Sequence, residues 1–194
     1  MPFEITEYGE AQCPPRFREL LTRMDSALRL DRTYCVQVIT EHERPDLPVE
    51  AWCMRPRVYP SAPGGGICVR ENILKSNRLY EVLSHELAHV VAHAESEWVE
   101  GEGHWWPFAT IHGVFLRRLD EMYRVKVRSR WASFQRLIML MNVYDVSSEP
   151  EADWGWALHQ ALTLSAKWAS EPLSELEVVE RLWDTWYSLR HRSA

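Results

Sequence analysis

The chain has 194 residues, 46% of them hydrophobic and 26% charged, with a net charge of −6. That is apolar enough for one good core, or a core with a helical annex. No run of about 18 apolar residues occurs and Met1 to Pro15 lacks an apolar signal core, so neither a membrane span nor secretion is expected and the predicted location is cytoplasmic.

In chain order, the first periodic segment is Thr33–Thr40, whose β-branched and aromatic residues predict a strand. Trp52–Tyr59 reads as a second strand, weakened by Pro56. Gly64-Gly65-Gly66 followed by Ile67-Cys68-Val69 reads as a glycine turn entering a third. Cys13, Cys35, Cys53 and Cys68 form no CxxC pair, which excludes a zinc ribbon, and Cys35 and Cys68, lying in strand-like runs, read most simply as reduced core residues.

Leu79–Ala94 predicts a helix with two faces. Leu79, Leu83, Leu87, Val90, Val91 and Ala94 gather on one side, and His85, Glu86, His89 and His93 on the other. Within it stands His85-Glu86-Leu87-Ala88-His89, an HExxH pattern. Positions i and i+4 of a helix lie about 40° apart, so His85 and His89 can reach one zinc ion. Glu86 is turned about 100° from His85, placed to take a proton from water on the metal and not to ligate it. Glu86 is therefore the candidate catalytic base and Zn²⁺ the expected cofactor.

A catalytic zinc site takes three protein ligands and leaves one position open. The metzincin pattern needs Gly and His where this chain has Ala92 and Glu95, so it is excluded. His93 continues the row along the helix and drifts away from a shared ion. The acidic, glycine-bearing stretch Glu95–Gly103 ends the helix in a loop. A second helical pattern follows, with Phe108, Ile111, Phe115, Leu119 and Met122 as its buried stripe. His104 opens that helix and His112 lies two turns later, so either can supply the third ligand. A carboxylate ligand would come from Glu95, Glu97, Glu100, Glu102 or Glu121; the first four read as a solvated acidic loop.

With these segments the chain resembles the SprT-like metallopeptidases and the small HExxH metallohydrolases of actinobacteria and their phages. There a motif close to His-Gly-Pro-x-Phe supplies the third zinc ligand, and Gly103-His104-Trp105-Trp106-Pro107-Phe108 looks like it. The His and the Phe four residues on are in place; Trp105 stands where Gly is usual and the Pro is displaced by one. His112-Gly113-Val114-Phe115 is a rival alignment that brings the Phe one residue closer. The resemblance implies metal ligands His85, His89 and His104, and a metallopeptidase that cleaves peptide bonds. It implies an α+β, zincin-like fold, with a small mixed sheet packed on the HExxH helix; the spacing of the residues that follow adds an all-helical C-terminal extension. Zincins lay substrate along a strand just ahead of the active helix, and Ile67–Arg70 is the expected edge. A zinc hydrolase of non-peptide amides or esters, or a zinc-stabilised interaction protein, would use the same residues.

The likeness covers about the first 120 positions, so the expected domains are 1–123 and a helical, Trp-rich extension, 124–194. In the extension Trp131–Val143, Glu151–Ala169 and Ser174–Leu189 carry helical spacing, with prolines 150 and 172 at the joints. Six of its residues are Trp, which reads first as packing surface and secondly as a face for a protein partner. Arg117 to Arg136 holds seven basic residues against Asp120 and Glu121. Such a strip can contact nucleic-acid phosphates, though a solvated face is the favoured reading.

Overall fold

A computed structural model describes residues 3–7, 11–45, 49–54, 64–76, 78–93, 106–123 and 154–190. They form a mixed α+β protein with a four-stranded sheet and five α-helices. The chain divides into two compact units, Met1–Glu97 and Trp98–Ala194.

In the first unit, β1 (Phe3–Glu7) pairs in parallel with β2 (Tyr34–Ile39), Phe3 opposite Tyr34. Between them runs α1 (Pro15–Leu28), which the sequence reading did not assign. Its cause is local: Pro15 presets φ in the first turn, and Phe17, Leu21, Met24 and Leu28 recur at helical spacing and are all buried. Arg29, in the left-handed region at φ 59°, ends it by donating its N–H to the Asp25 carbonyl at 2.8 Å.

Strand β3 (Ala51–Met54) comes next in the chain, then β4 (Gly66–Arg70), yet the spatial order is β1-β2-β4-β3. β4 lies parallel to β2 and antiparallel to β3. The expectation that Ile67–Arg70 forms the open edge is therefore corrected: the edge is β3. All five residues of β4 are buried, and a strand apolar on both faces belongs inside a sheet. The glycine turn before it is required. A Cβ at Gly64 would stand 2.6 Å from the Tyr34 ring and 2.7 Å from the Thr33 carbonyl oxygen. Gly65 adopts φ 92°, which side chains resist.

The last residue of β4, Arg70, is buried and fastens the chain leading into β3. Its Nη1 donates to the carbonyls of Thr40, Glu41 and Glu43, Nη2 to Arg44 at 2.9 Å, and Nε to Val49 at 2.8 Å. Its own backbone N–H donates to the Glu50 carbonyl at 3.0 Å. After a 3-10 turn (Glu71–Lys75), α2 (Leu79–His93) packs against β3 and β4, and its Leu83, Leu87, Val90 and Val91 are buried. Ser76 receives the Arg78 N–H on its hydroxyl and the Leu79 N–H on its carbonyl, which starts the helix.

The second unit is helical where described: α3 (Trp106–Tyr123), α4 (Trp154–Ser170) and α5 (Glu175–Arg190), with α3 packed on the other two. Phe108, Ile111, Phe115 and Leu119 form the buried stripe expected for α3. Ser174 and Glu177 make a reciprocal capping box at the start of α5, the Ser174 N–H donating to the Glu177 carboxylate at 2.7 Å. Arg118, 4% exposed, donates to the carbonyls of Trp168 and Leu173 and ties the α4–α5 joint to α3. Arg117 donates to the Ser165 hydroxyl. The first two members of the basic strip are thus turned to neighbouring helices; its remaining residues, and Trp131–Val143, lie outside the described residues. No described helix is long and apolar enough to cross a membrane.

Candidate metal centre

The HExxH segment occupies the middle of α2, and the helix brings its two histidines together as the spacing predicts. The Nε2 atoms of His85 and His89 are 3.1 Å apart, with the rings edge to face at 77°. His89 is 8% exposed and His85 half-buried. Two nitrogens each about 2.05 Å from one zinc ion and 3.1 Å from each other subtend about 98° at the metal, close to the tetrahedral angle. The pair fits a zinc ion with little rearrangement. A shared N–H···N hydrogen bond is the other arrangement this distance allows.

Glu86 faces the sheet edge. Its carboxylate accepts the backbone N–H of Cys53, and burial, the larger effect, pushes the carboxyl up from 4.5 to about 7 against that bond. The ladder explains why the Cys53 amide is available. The Arg70 N–H bond to Glu50 makes Glu50–Arg70 a hydrogen-bonded pair, so Trp52–Cys68 and Met54–Gly66 continue the ladder. Ala51 and Cys53, in the alternate positions, direct their N–H and C=O groups away from β4 to the open edge. Glu86 meets one of these groups, which sets the candidate base against the side of β3 that, among the described residues, pairs with no other strand.

The third ligand divides differently. His104 lies outside the described residues, as do Glu95, Glu97, Glu100 and Glu102 and the side chain of His93. His112 is buried on α3, its ring 5.6 Å from that of Phe108, and Glu121 is exposed near the end of the same helix. Among the described residues no cluster of three or more His, Cys, Asp or Glu side chains is placed to hold one metal ion.

Two contributors were not read from the sequence: the Cys53 backbone amide and Arg70. A backbone amide carries no residue signature. Arg70 gave a faint one, a lone arginine closing an apolar strand. Cys68, beside it, is 1% exposed, and burial pushes its thiol up to about 12, as expected for an inert core cysteine. Compared with known proteins, the chain matches no protein family, no curated protein and no solved structure.

Proposed function

We propose that the chain is a zinc-dependent metallopeptidase of zincin-like fold and SprT-like type. The observation that carries this is the arrangement on α2: two imidazole nitrogens 3.1 Å apart, and between them in sequence a half-buried carboxylate held at the edge strand β3. His85 and His89 would hold the metal with His104 as third ligand. When bound, zinc supplies Lewis acidity that makes water nucleophilic near neutral pH and polarises a carbonyl. Glu86 takes the proton from that water as it attacks the amide carbon and passes it to the leaving nitrogen, so that one water and one amide become a carboxylic acid and an amine.

The edge favours an extended peptide over a small amide or ester. Ala51 and Cys53 offer backbone groups at the spacing a further strand would pair with, and such a strand would arrive beside Glu86. The antiparallel edge strand preceding the active helix also supports the zincin-like assignment.

The test is metal content and turnover together. Wild type should carry one zinc per chain, lost in His85→Ala, His89→Ala and His104→Ala and kept in His112→Ala. Glu86→Gln should keep zinc and stop cleavage of labelled casein. Wild type purified without chelators and holding no divalent metal would overturn the reading.

A further inference from the structure

Strand β3 has four residues and a single neighbour in the described sheet, which is marginal support for a strand that must hold a functional side chain in place. What supplements its ladder is one side chain. The Arg70 guanidinium binds four carbonyls of the 40–44 turn and that of Val49, two residues ahead of β3. The turn is shaped for this, because Glu43 accepts the N–H of Thr40 at 2.6 Å and its hydroxyl at 2.9 Å, and Arg44 sits at φ 54°. The guanidinium carbon also lies 5.9 Å from the centroid of the Trp52 ring, and Trp52 immediately precedes Cys53. Arg70 belongs to β4, inside the sheet. It therefore anchors the start of the edge strand to a central strand, and the edge strand's Cys53 amide in turn holds Glu86.

We infer that Arg70 is a positioning residue for Glu86, acting through β3. The inference rests on the reading of Glu86 as the base, but its structural half is measurable without turnover. The contacts described for the Arg70 side chain are with the 40–44 turn, Val49 and Trp52, so its loss should leave metal binding intact and release only the strand that orients the carboxylate. Lysine cannot replace it fully, since one ammonium with three donors does not span carbonyls that a planar fork reaches.

The experiment measures amide hydrogen exchange by NMR on the full chain, with wild type, Arg70→Met, Arg70→Lys and Glu86→Ala, each shown folded by circular dichroism. The Cys53 amide should exchange at least about tenfold faster in Glu86→Ala, which identifies its acceptor, and in Arg70→Met. The amides of Leu87 and Val91 on α2 should keep their wild-type rates. Zinc per chain should be unchanged in Arg70→Met, while kcat on labelled casein falls about tenfold or more. Arg70→Lys should fall between wild type and Arg70→Met, and it decides the matter should Arg70→Met fail to fold. A Cys53 amide exchanging at the wild-type rate in a folded Arg70 variant overturns the inference. Should zinc-loaded wild type leave casein uncut, the peptidase reading fails, and the exchange rates still decide whether Arg70 holds the amide that Glu86 accepts.

Discussion

Glu86→Gln, examined in the metal-free protein, separates what the burial of this carboxylate costs from what it does. The folded chain raises the Glu86 carboxyl from 4.5 to about 7, so the folded state binds its proton more tightly than the unfolded state does. Stability is therefore lost as pH climbs through this window. The loss is absent below about pH 4.5 and complete above about pH 7. At its full extent the rise corresponds to about 3 kcal/mol. Glutamine keeps an oxygen for the Cys53 N–H and carries no charge, so it removes the cost while preserving the contact. In urea unfolding after EDTA treatment, Glu86→Gln should be more stable than wild type by about 2–3 kcal/mol at pH 8 and nearly equal at pH 4. All other titrating groups are common to both proteins and cancel in this difference. Adding zinc should shrink the gap at pH 8, because a nearby cation favours the ionised carboxylate. Equal stabilities at pH 8, or a gain of the same size at both pH values, would refute the burial argument.

Further outcomes follow from the packing. Gly64→Ala should cost about 1–3 kcal/mol in the same unfolding assay, since its Cβ would meet the Tyr34 ring and the fixed Thr33 carbonyl. Arg118→Met should cost about 2–4 kcal/mol, as it removes two charged hydrogen bonds to the α4–α5 joint; a loss under about 0.5 kcal/mol would show that joint to be held by apolar contacts alone. Ser174→Ala should cost about 1 kcal/mol by opening the capping box, and unchanged stability would count against it. Native maleimide labelling at pH 8, mapped by mass spectrometry, should modify Cys13 and Cys53 first and reach Cys35 and Cys68 only on unfolding; early modification of Cys68 would contradict its burial.

What the sequence disclosed follows the range of the interactions involved. α2, α3, α4 and α5 are marked by apolar residues at helical spacing, with Ser174 and Pro172 announcing the last, and these are local signals. The stripe of α1, Phe17, Leu21, Met24 and Leu28, is equally regular and went unread among the exposed Arg16, Arg18, Glu19 and Arg23 and the half-buried Asp25. β1 is harder: Phe3 and Ile5 alternate with polar residues over only five positions, and its partner β2 is some thirty residues away. Strand order was not legible either, because β3 precedes β4 in the chain and lies outside it in the sheet. The better clue was composition. Gly-Ile-Cys-Val is apolar without alternation, which marks an interior strand, and a proline two positions after Met54 in the sequence is a signal of an edge strand as much as of a weakened one. At the site, the approach of His85 to His89 follows from helix geometry alone. The Cys53 amide could not be foreseen, since it depends on which ladder positions face outward, and that is fixed only once β3 is paired with β4.

An open strand edge is a liability that proteins cover, charge or shorten, because its unpaired backbone groups accept any passing strand. Here the edge is short, and the group that meets it is a carboxylate whose burial costs stability. As a device for blocking the edge this is a poor choice: a side-chain amide in place of the Glu86 carboxylate would accept the same N–H without burying a charge. The arrangement makes sense if the edge is meant to be filled. An extended chain lying along the outward backbone groups of Ala51 and Cys53 would add a strand to the described sheet and present its amide bonds to Glu86, one residue along α2 from His85. Strand pairing would then serve binding and alignment together, with Arg70 keeping the template rigid while the occupant changes. Peptides should then bind without regard to turnover. Glu86→Gln with zinc bound should retain a noncleaved peptide and slow the exchange of the Ala51 amide, which faces the same edge as the Cys53 amide that residue 86 already holds. Binding that leaves the Ala51 amide exchanging as before would place the substrate elsewhere.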